Sequence, residues 1–258
     1  WPCEMDDIQT LADKHNLYVV EDCAQAHGAT YKGKPVGSIG DIAAWSFCQD
    51  KIMTTAGEGG MVTTNNKSLW EKVWAFKDHG KSWSAVYEKE HPPGFRWLHE
   101  SFGTNWRMTE IQGTVGLQQL KKMPNWIKQR QAYAQQIFAT ANESNALLVP
   151  EMPDYIEHAF YKCYVYVKPE KLKPDWDRDR IIEAVNQCNV PCFSGSCSEV
   201  YLEKAFDNSG FRPALPLANA VSLGERSLMF LVHPTLSEDE ISRTCEALKG
   251  VMLQASIS

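Results

Sequence analysis

A two-part α/β fold is predicted for this chain from three observations. Short, apolar, β-prone runs recur between segments of helical period, and two of those runs end in polar residues that include Asp22 and Lys51. Beyond Pro124 the same alternation continues on a smaller scale. Residues 1–124 therefore read as one domain with a mainly parallel sheet, and residues 125–258 as a C-terminal domain of α+β alternation on a smaller scale.

Pro2 to Asp6 leads into a helix with Ile8, Leu11 and Ala12 on one face, which Asn16 can end. Leu17-Tyr18-Val19-Val20 is a short apolar run and reads as a buried strand of a parallel sheet. Glu21 and Asp22 follow at once. Ligands of open α/β sheets bind beyond the carboxyl ends of the strands, so Asp22 stands where a ligand-facing acid is expected. His27 precedes a turn-rich loop from Tyr31 to Gly40 and is read as a structural histidine whose ordinary pKa would also suit acid-base work. Ile42 to Phe47 is the second strand, again with a polar end and then Lys51. If the two strands are neighbours, an acid and an amine face one crevice.

Gly59 to Thr64 reads as a further strand, broken by Asn65-Asn66, and Ser68 is placed to cap a helix through Leu69, Val73, Trp74 and Phe76. From His79 to Phe102 no period is visible, and a loop of that length suits substrate enclosure at a subunit interface. Thr109-Glu110-Ile111-Gln112 is a capping box, so a helix starts there with Ile111, Val115 and Leu120 inward, and Asn105 and Arg107 lie just ahead of its N-terminus, a place suited to anions. Pro124 is read as the end of that helix and the start of another carrying Trp126, Ile127, Ala134, Ile137, Phe138 and Ala141, with the domain boundary there. In the smaller domain Tyr161 to Val167 and Asn189 to Phe193 read as strands, Arg180 to Gln187 as a helix, and Ser194-Gly195-Ser196 as a turn. Ser237 to Glu240 is a second capping box, opening a last helix with Ile241, Cys245 and Leu248.

Composition bounds the function. A chain of 258 residues, 43% hydrophobic, can fill a substantial core. A net charge of −6 argues against a surface that coats nucleic acid. No apolar run approaches the ~20 residues of a membrane span, so a cytoplasmic protein is expected. The eight cysteines occur singly, and the spacing of Cys188, Cys192 and Cys197 does not repeat a zinc-ligand pair; reduced thiols and no metal are expected.

Four ordered motifs carry a resemblance. They are Glu-Asp-Cys-Ala-Gln-Ala-His-Gly at 21–28, Ser-Phe-Cys-Gln-Asp-Lys at 46–51, Gly-Glu-Gly-Gly at 57–60 and Gly-Thr-Asn-Trp-Arg-Met-Thr-Glu at 103–110. With them the chain resembles the sugar-nucleotide aminotransferases of the DegT/DnrJ/StrS type, within the fold-type-I enzymes that use pyridoxal 5'-phosphate (PLP). The resemblance runs from the first residue almost to the last. It implies that Lys51 holds PLP as an internal aldimine and Asp22 pairs with the pyridine nitrogen. It further implies that Gln25 lies near the ring 3-oxygen, that Ser46 bonds the cofactor phosphate, and that Asn105 reaches the phosphate of the neighbouring subunit's cofactor in a homodimer. A buried carboxylate keeps the ring nitrogen protonated, and a lysine amine can both hold the cofactor and move a proton.

The activity so implied is transfer of an amino group, from glutamate in most of the family, to a 3- or 4-keto nucleotide sugar, for polysaccharide or secondary-metabolite synthesis. A sugar dehydratase of the same family is the alternative; it replaces the lysine by histidine, and Lys51 argues against it. The family's phosphate-binding loop and the aromatic ring that stacks on PLP belong to segments that precede this match. The chain is thus expected to be the C-terminal two-thirds of such an enzyme. A partner chain over its exposed sheet edges, a shortened reading frame, or a catalytically silent binding module would each accord with that.

Overall fold

The computed structural model describes residues 1–94 and 96–257. Two compact units emerge, one of Trp1–Ile127 with Pro153–Ala159 and the other of Lys128–Met152 with Phe160–Ser258.

The first unit begins with α1 (Met5–His15), which Asn16 closes in the left-handed conformation at φ 52°. Met5 and Ala12 are buried, whereas Leu11 is 56% exposed, so the apolar face of this helix is narrower than the sequence reading made it. Strand β1 (Val20–Asp22) starts later than expected, and Leu17 and Tyr18 are exposed rather than buried. The reason is topological: β1 is an edge of its sheet. Two short strands, β2 (Thr30–Tyr31) and β3 (Lys34–Pro35), form a hairpin within the turn-rich loop.

Strand β4 (Ile42–Ser46) pairs with β1 in parallel, matching Glu21 to Ala43 and Asp22 to Ala44. The two strands are therefore neighbours. Strand β5 (Gly60–Thr63) pairs with β4 antiparallel, with Ser46 opposite Gly60, giving the order β1-β4-β5. No crossover helix separates β4 from β5, so the chain can only return in the opposite direction.

Helix α2 (Lys67–Lys77) is capped by Asn66, whose side chain accepts the Leu69 N–H, and not by Ser68. The segment from His79 to Phe102 holds a short helix α3 (Trp83–Tyr87) and a bridge between Lys81 and His99; Phe95 lies outside the described residues.

Helix α4 (Glu110–Ala141) is continuous, with Pro124 inside it, and Ile111 and Leu120 of its first half are exposed rather than turned inward. A proline costs a helix one hydrogen bond and a clash with the preceding turn. The apolar stripe that follows it (Tyr133, Ala134, Ile137, Phe138 and Ala141) is buried, and that burial outweighs the local penalty. After α4 come β6 (Leu147–Leu148) and β7 (Ile156–Glu157); β7 extends the small sheet of the first unit by pairing with β2.

The second unit is an antiparallel sheet with helices. Its strands are β6, β8 (Cys163–Val167), β9 (Cys192–Phe193) and β10 (Ser227–Phe230), in the order β6-β8-β10-β9. The alternation of β8 buries Cys163, Val165 and Val167. Helix α5 (Arg178–Gln187) is capped by Asp177; α6 (Ala218–Arg226) leads directly into β10. Helix α7 (Glu238–Ala255) opens on a complete Ser237–Glu240 capping box. Ile181 and Val185 of α5 and Ile241 and Leu248 of α7 are fully buried with Leu228 and Phe230 of β10. Arg130 is buried too, donating to the carbonyls of Phe160 and Tyr161, and burial lowers its pKa to about 10. All eight cysteines are free thiols.

Candidate active site

Alternation along β1 divides the labour of its two carboxylates. Glu21 is buried and turned inward: its carboxylate accepts the backbone N–H groups of Gly37 at 2.6 Å, Ile39 at 2.8 Å and Gly40 at 2.6 Å. Asp22 is exposed on the other face. Its Oδ1 accepts the Ala24 N–H at 3.0 Å, which turns the chain sharply at the strand end, and Oδ2 has no hydrogen bond among the described residues. Gln25 follows within that turn, exposed.

Register then sets Ser46 relative to Asp22. Residues paired across parallel strands point to the same face, so Asp22 shares its face with Ala44 and hence with Ser46, two residues on. The Ser46 hydroxyl accepts the Cys48 N–H at 3.4 Å and is partly buried.

Lys51 lies in the loop that leaves this strand end. The loop is pinned at several points: Lys51 N–H to the Cys48 carbonyl at 3.1 Å, Thr55 N–H to the Phe47 carbonyl at 3.2 Å, and Thr54 N–H to the Gln119 side chain at 2.8 Å. Gln112 closes its far side by donating to the Glu58 carbonyl at 2.8 Å. Directly after Lys51, Ile52 and Met53 are buried. The lysine is thus partly buried on a loop of defined shape rather than on a free tether.

Asn105 stands on a separate segment, strapped to the end of α2. Thr104 N–H donates to Phe76, His79 N–H to Thr104 and Trp106 N–H to Lys77, while Asp78 and Asn105 form an isolated bridge. The backbones here approach so closely that a Cβ on Gly80 (φ 85°) would run into the Ser101 carbonyl, and one on Gly103 into the Gly80 amide. The Asn105 Oδ1 accepts from Arg107 Nε at 3.1 Å. Thr109 and Gln112 then make the expected reciprocal cap at the start of α4.

A cavity of about 570 Å³ lies on the opposite sheet face, lined by Trp45, Phe47, Met61 and Thr63 among others, and none of Asp22, Gln25, Ser46, Lys51 or Asn105 touches it. His27 borders it, buried, with its ring 5.2 Å from that of Trp45 and 5.9 Å from that of Phe47. Its lining is chiefly carbon, so its chemistry is packing. The inward role of Glu21 is not foreseen from the sequence, and neither is Asp78 as the ion-pair partner of Arg107 at 3.5 Å. The period-two rule, applied to Glu21-Asp22, would have separated the first; nothing local announces the second.

Collected beyond the carboxyl ends of β1 and β4 are an acid, a hydroxyl and a lysine loop, the arrangement of an α/β protein that holds a small ligand at its strand ends. The chain belongs to the DegT/DnrJ/EryC1/StrS aminotransferase family, whose pattern matches residues 1–249. It is 32% identical to the spore coat polysaccharide biosynthesis protein SpsC of Bacillus subtilis, over 97% of this chain and 64% of that protein. It is 30% identical to the GDP-perosamine synthase of Escherichia coli O157:H7, over 96% of this chain and 62% of the other. Among solved structures, the aminotransferase from Psychrobacter cryohalolentis superimposes with a TM-score of 0.96 at 63% identity, covering 98% of this chain and 66% of that one. The chain thus spans less than two thirds of these two curated relatives. No helix among the described residues is long and apolar enough to cross a membrane.

Proposed function

We propose that the protein transfers an amino group from an amino acid, glutamate, to a 3- or 4-keto sugar carried on a nucleotide, using PLP, as a cytoplasmic homodimer. The observation that carries this reading is the shared sheet face of Asp22 and Ser46, with the Lys51 loop leaving the same strand end. Support comes also from a relative, 29% identical, named UDP-N-acetyl-3-dehydro-alpha-D-glucosamine 3-aminotransferase, and from two named GDP-perosamine synthase at 30% and 33% identity.

The donor set suits the cofactor. Asp22 offers an acceptor with one oxygen uncommitted among the described residues, for a protonated ring nitrogen; Ser46 offers a hydroxyl for phosphate oxygens, and Asn105 an amide for those of the neighbouring subunit's cofactor; and Gln25 lies in the turn beside Asp22. When bound, PLP supplies an electron sink and a carbonyl carbon that exchanges amines. The residues do the rest. Asp22 holds the proton on the ring nitrogen, because a carboxylate beside a cationic group favours its charged form. Lys51 would hold the cofactor and, as a free amine, would take the proton from the donor's α-carbon and deliver one to the acceptor carbon. In sum, the donor's CH–NH₂ becomes C=O and the sugar's C=O becomes CH–NH₂.

The test is spectroscopic and chemical. Incubation with PLP should give a visible absorption band, lost in Lys51→Ala, and glutamate should bleach the band while releasing 2-oxoglutarate. Keto nucleotide sugars, tried as a panel, should restore it. A protein that stays colourless with PLP sinks the reading and leaves a binding module.

A further inference from the structure

We infer that Asp78 is a positioning residue for anion binding: through Arg107 it fixes which end of the Asn105 amide faces the ligand. The inference rests on the reading of Asn105 as a phosphate donor.

A primary amide has an acceptor end and a donor end, and only the donor end attracts an anion. Here the acceptor end is taken, because Arg107 Nε donates to Asn105 Oδ1 at 3.1 Å. The Nδ2 group is what remains to face a ligand. Arg107 is itself held from behind: its Nε lies 3.5 Å from Asp78 Oδ1 and its terminal nitrogen 3.4 Å from His79 Nε2. The Asp78 side chain is only 12% exposed, whereas that of Arg107 is 48% exposed, so the carboxylate is the fixed member of the pair.

Two further features make the arrangement directional. Asp78 and Asn105 are bridged through their backbones, which keeps the carboxylate and the amide in register. Lys77 and Lys81 also flank Asp78, at 3.8 and 3.9 Å, so with Arg107 three cations surround one carboxylate and hold it in place. Without the Asp78 charge the guanidinium has no reason to stay against Oδ1, and the amide is free to turn its oxygen outward.

The test compares PLP with pyridoxal, which lacks the phosphate, in absorbance titrations of the full chain. Asp78→Asn should weaken PLP about tenfold, the effect of losing the one hydrogen bond that Asn105 donates to the phosphate, and leave pyridoxal nearly unchanged. Asp78→Glu should restore part of the loss, and in an Asn105→Ala background Asp78→Asn should add nothing. Arg107→Gln, at an exposed site, should reproduce the pattern and serves if Asp78→Asn does not fold. If Asn105→Ala weakens PLP but neither Asp78→Asn nor Arg107→Gln does, the positioning role is wrong and the phosphate role stands. Equal weakening of PLP and pyridoxal makes Asp78 merely structural. Unchanged PLP affinity in Asn105→Ala overturns both ideas, as does a chain that binds neither compound.

Discussion

Glu21 reaches Gly40 across the mouth of the turn-rich loop, with its Oε1 2.6 Å from the Gly40 amide nitrogen. The same carboxylate takes the N–H groups of Gly37 and Ile39, so one buried charge satisfies three backbone donors and sets the entry to β4. Glu21→Gln puts an amide NH₂ among those donors. It should lower stability by about 2–3 kcal/mol, measured by urea unfolding with an unchanged denaturant slope. A loss of a few tenths would mean that the loop holds its shape without the charge.

Asp22 allows a cleaner separation of folding from function. Asparagine retains an oxygen for the Ala24 N–H, so Asp22→Asn should leave the turn and the unfolding midpoint unchanged. It removes the charge that keeps the cofactor ring nitrogen protonated, and transamination should fall by roughly two orders of magnitude or more, a contribution of the size of a lost charge-assisted contact in a site. Steady-state assays with glutamate as donor decide it. An active Asp22→Asn protein would remove Asp22 from the proposed chemistry.

What could be read from the residues follows the range of the interactions involved. Asn16 ending α1, the Thr109–Gln112 box opening α4 and the Ser237–Glu240 box opening α7 are all contacts within a few residues, and each stands as read. Asp22 is legible because a polar residue after a short apolar run marks a strand end, whereas Ser46 is singled out only by the resemblance; the β1–β4 pairing sets the two on one face. Strand β10 was not legible: it follows α6 with no breaker, and its partner β8 lies some sixty residues earlier in the chain. Pro124 does not end α4, because the buried stripe beyond it outweighs a penalty that is all a local reading can see. Leu17 and Tyr18 are exposed against expectation because an apolar run does not tell an edge strand from a central one.

His233 predicts a pH dependence of the second unit. Burial first, and then the positive charges of Arg130 and Lys162, hold its pKa below the ordinary histidine value, with Glu240 opposing them in part. The unfolded chain therefore binds more protons than the folded one just below about pH 6.5, and stability falls as pH drops through that region. Thermal midpoints taken from pH 8 to pH 5 should decline, and His233→Gln should decline less. Parallel curves for the two proteins would show that the decline has another source.

Ser237 makes the capping box of α7 testable from both sides. Its hydroxyl accepts the Glu240 N–H at 3.3 Å, and the Glu240 carboxylate accepts the Ser237 N–H at 2.8 Å. The helix so started carries Ile241, Leu248, Val251 and Met252 into the core, so fraying at its first turn is felt by packed side chains. Ser237→Ala should cost about 1 kcal/mol in urea unfolding. The pKa of Glu240 is held below its ordinary value, mainly by the backbone and side-chain hydrogen bonds of Ser237. A lowered carboxylate contributes stability that is present above its unfolded pKa and is lost as pH falls through the folded one. Removing the hydroxyl should therefore also make stability less sensitive to acid between about pH 5 and pH 3. An alanine variant with the wild-type acid profile would mean that the backbone bond alone holds the carboxylate, and that the box acts through one hydrogen bond rather than two.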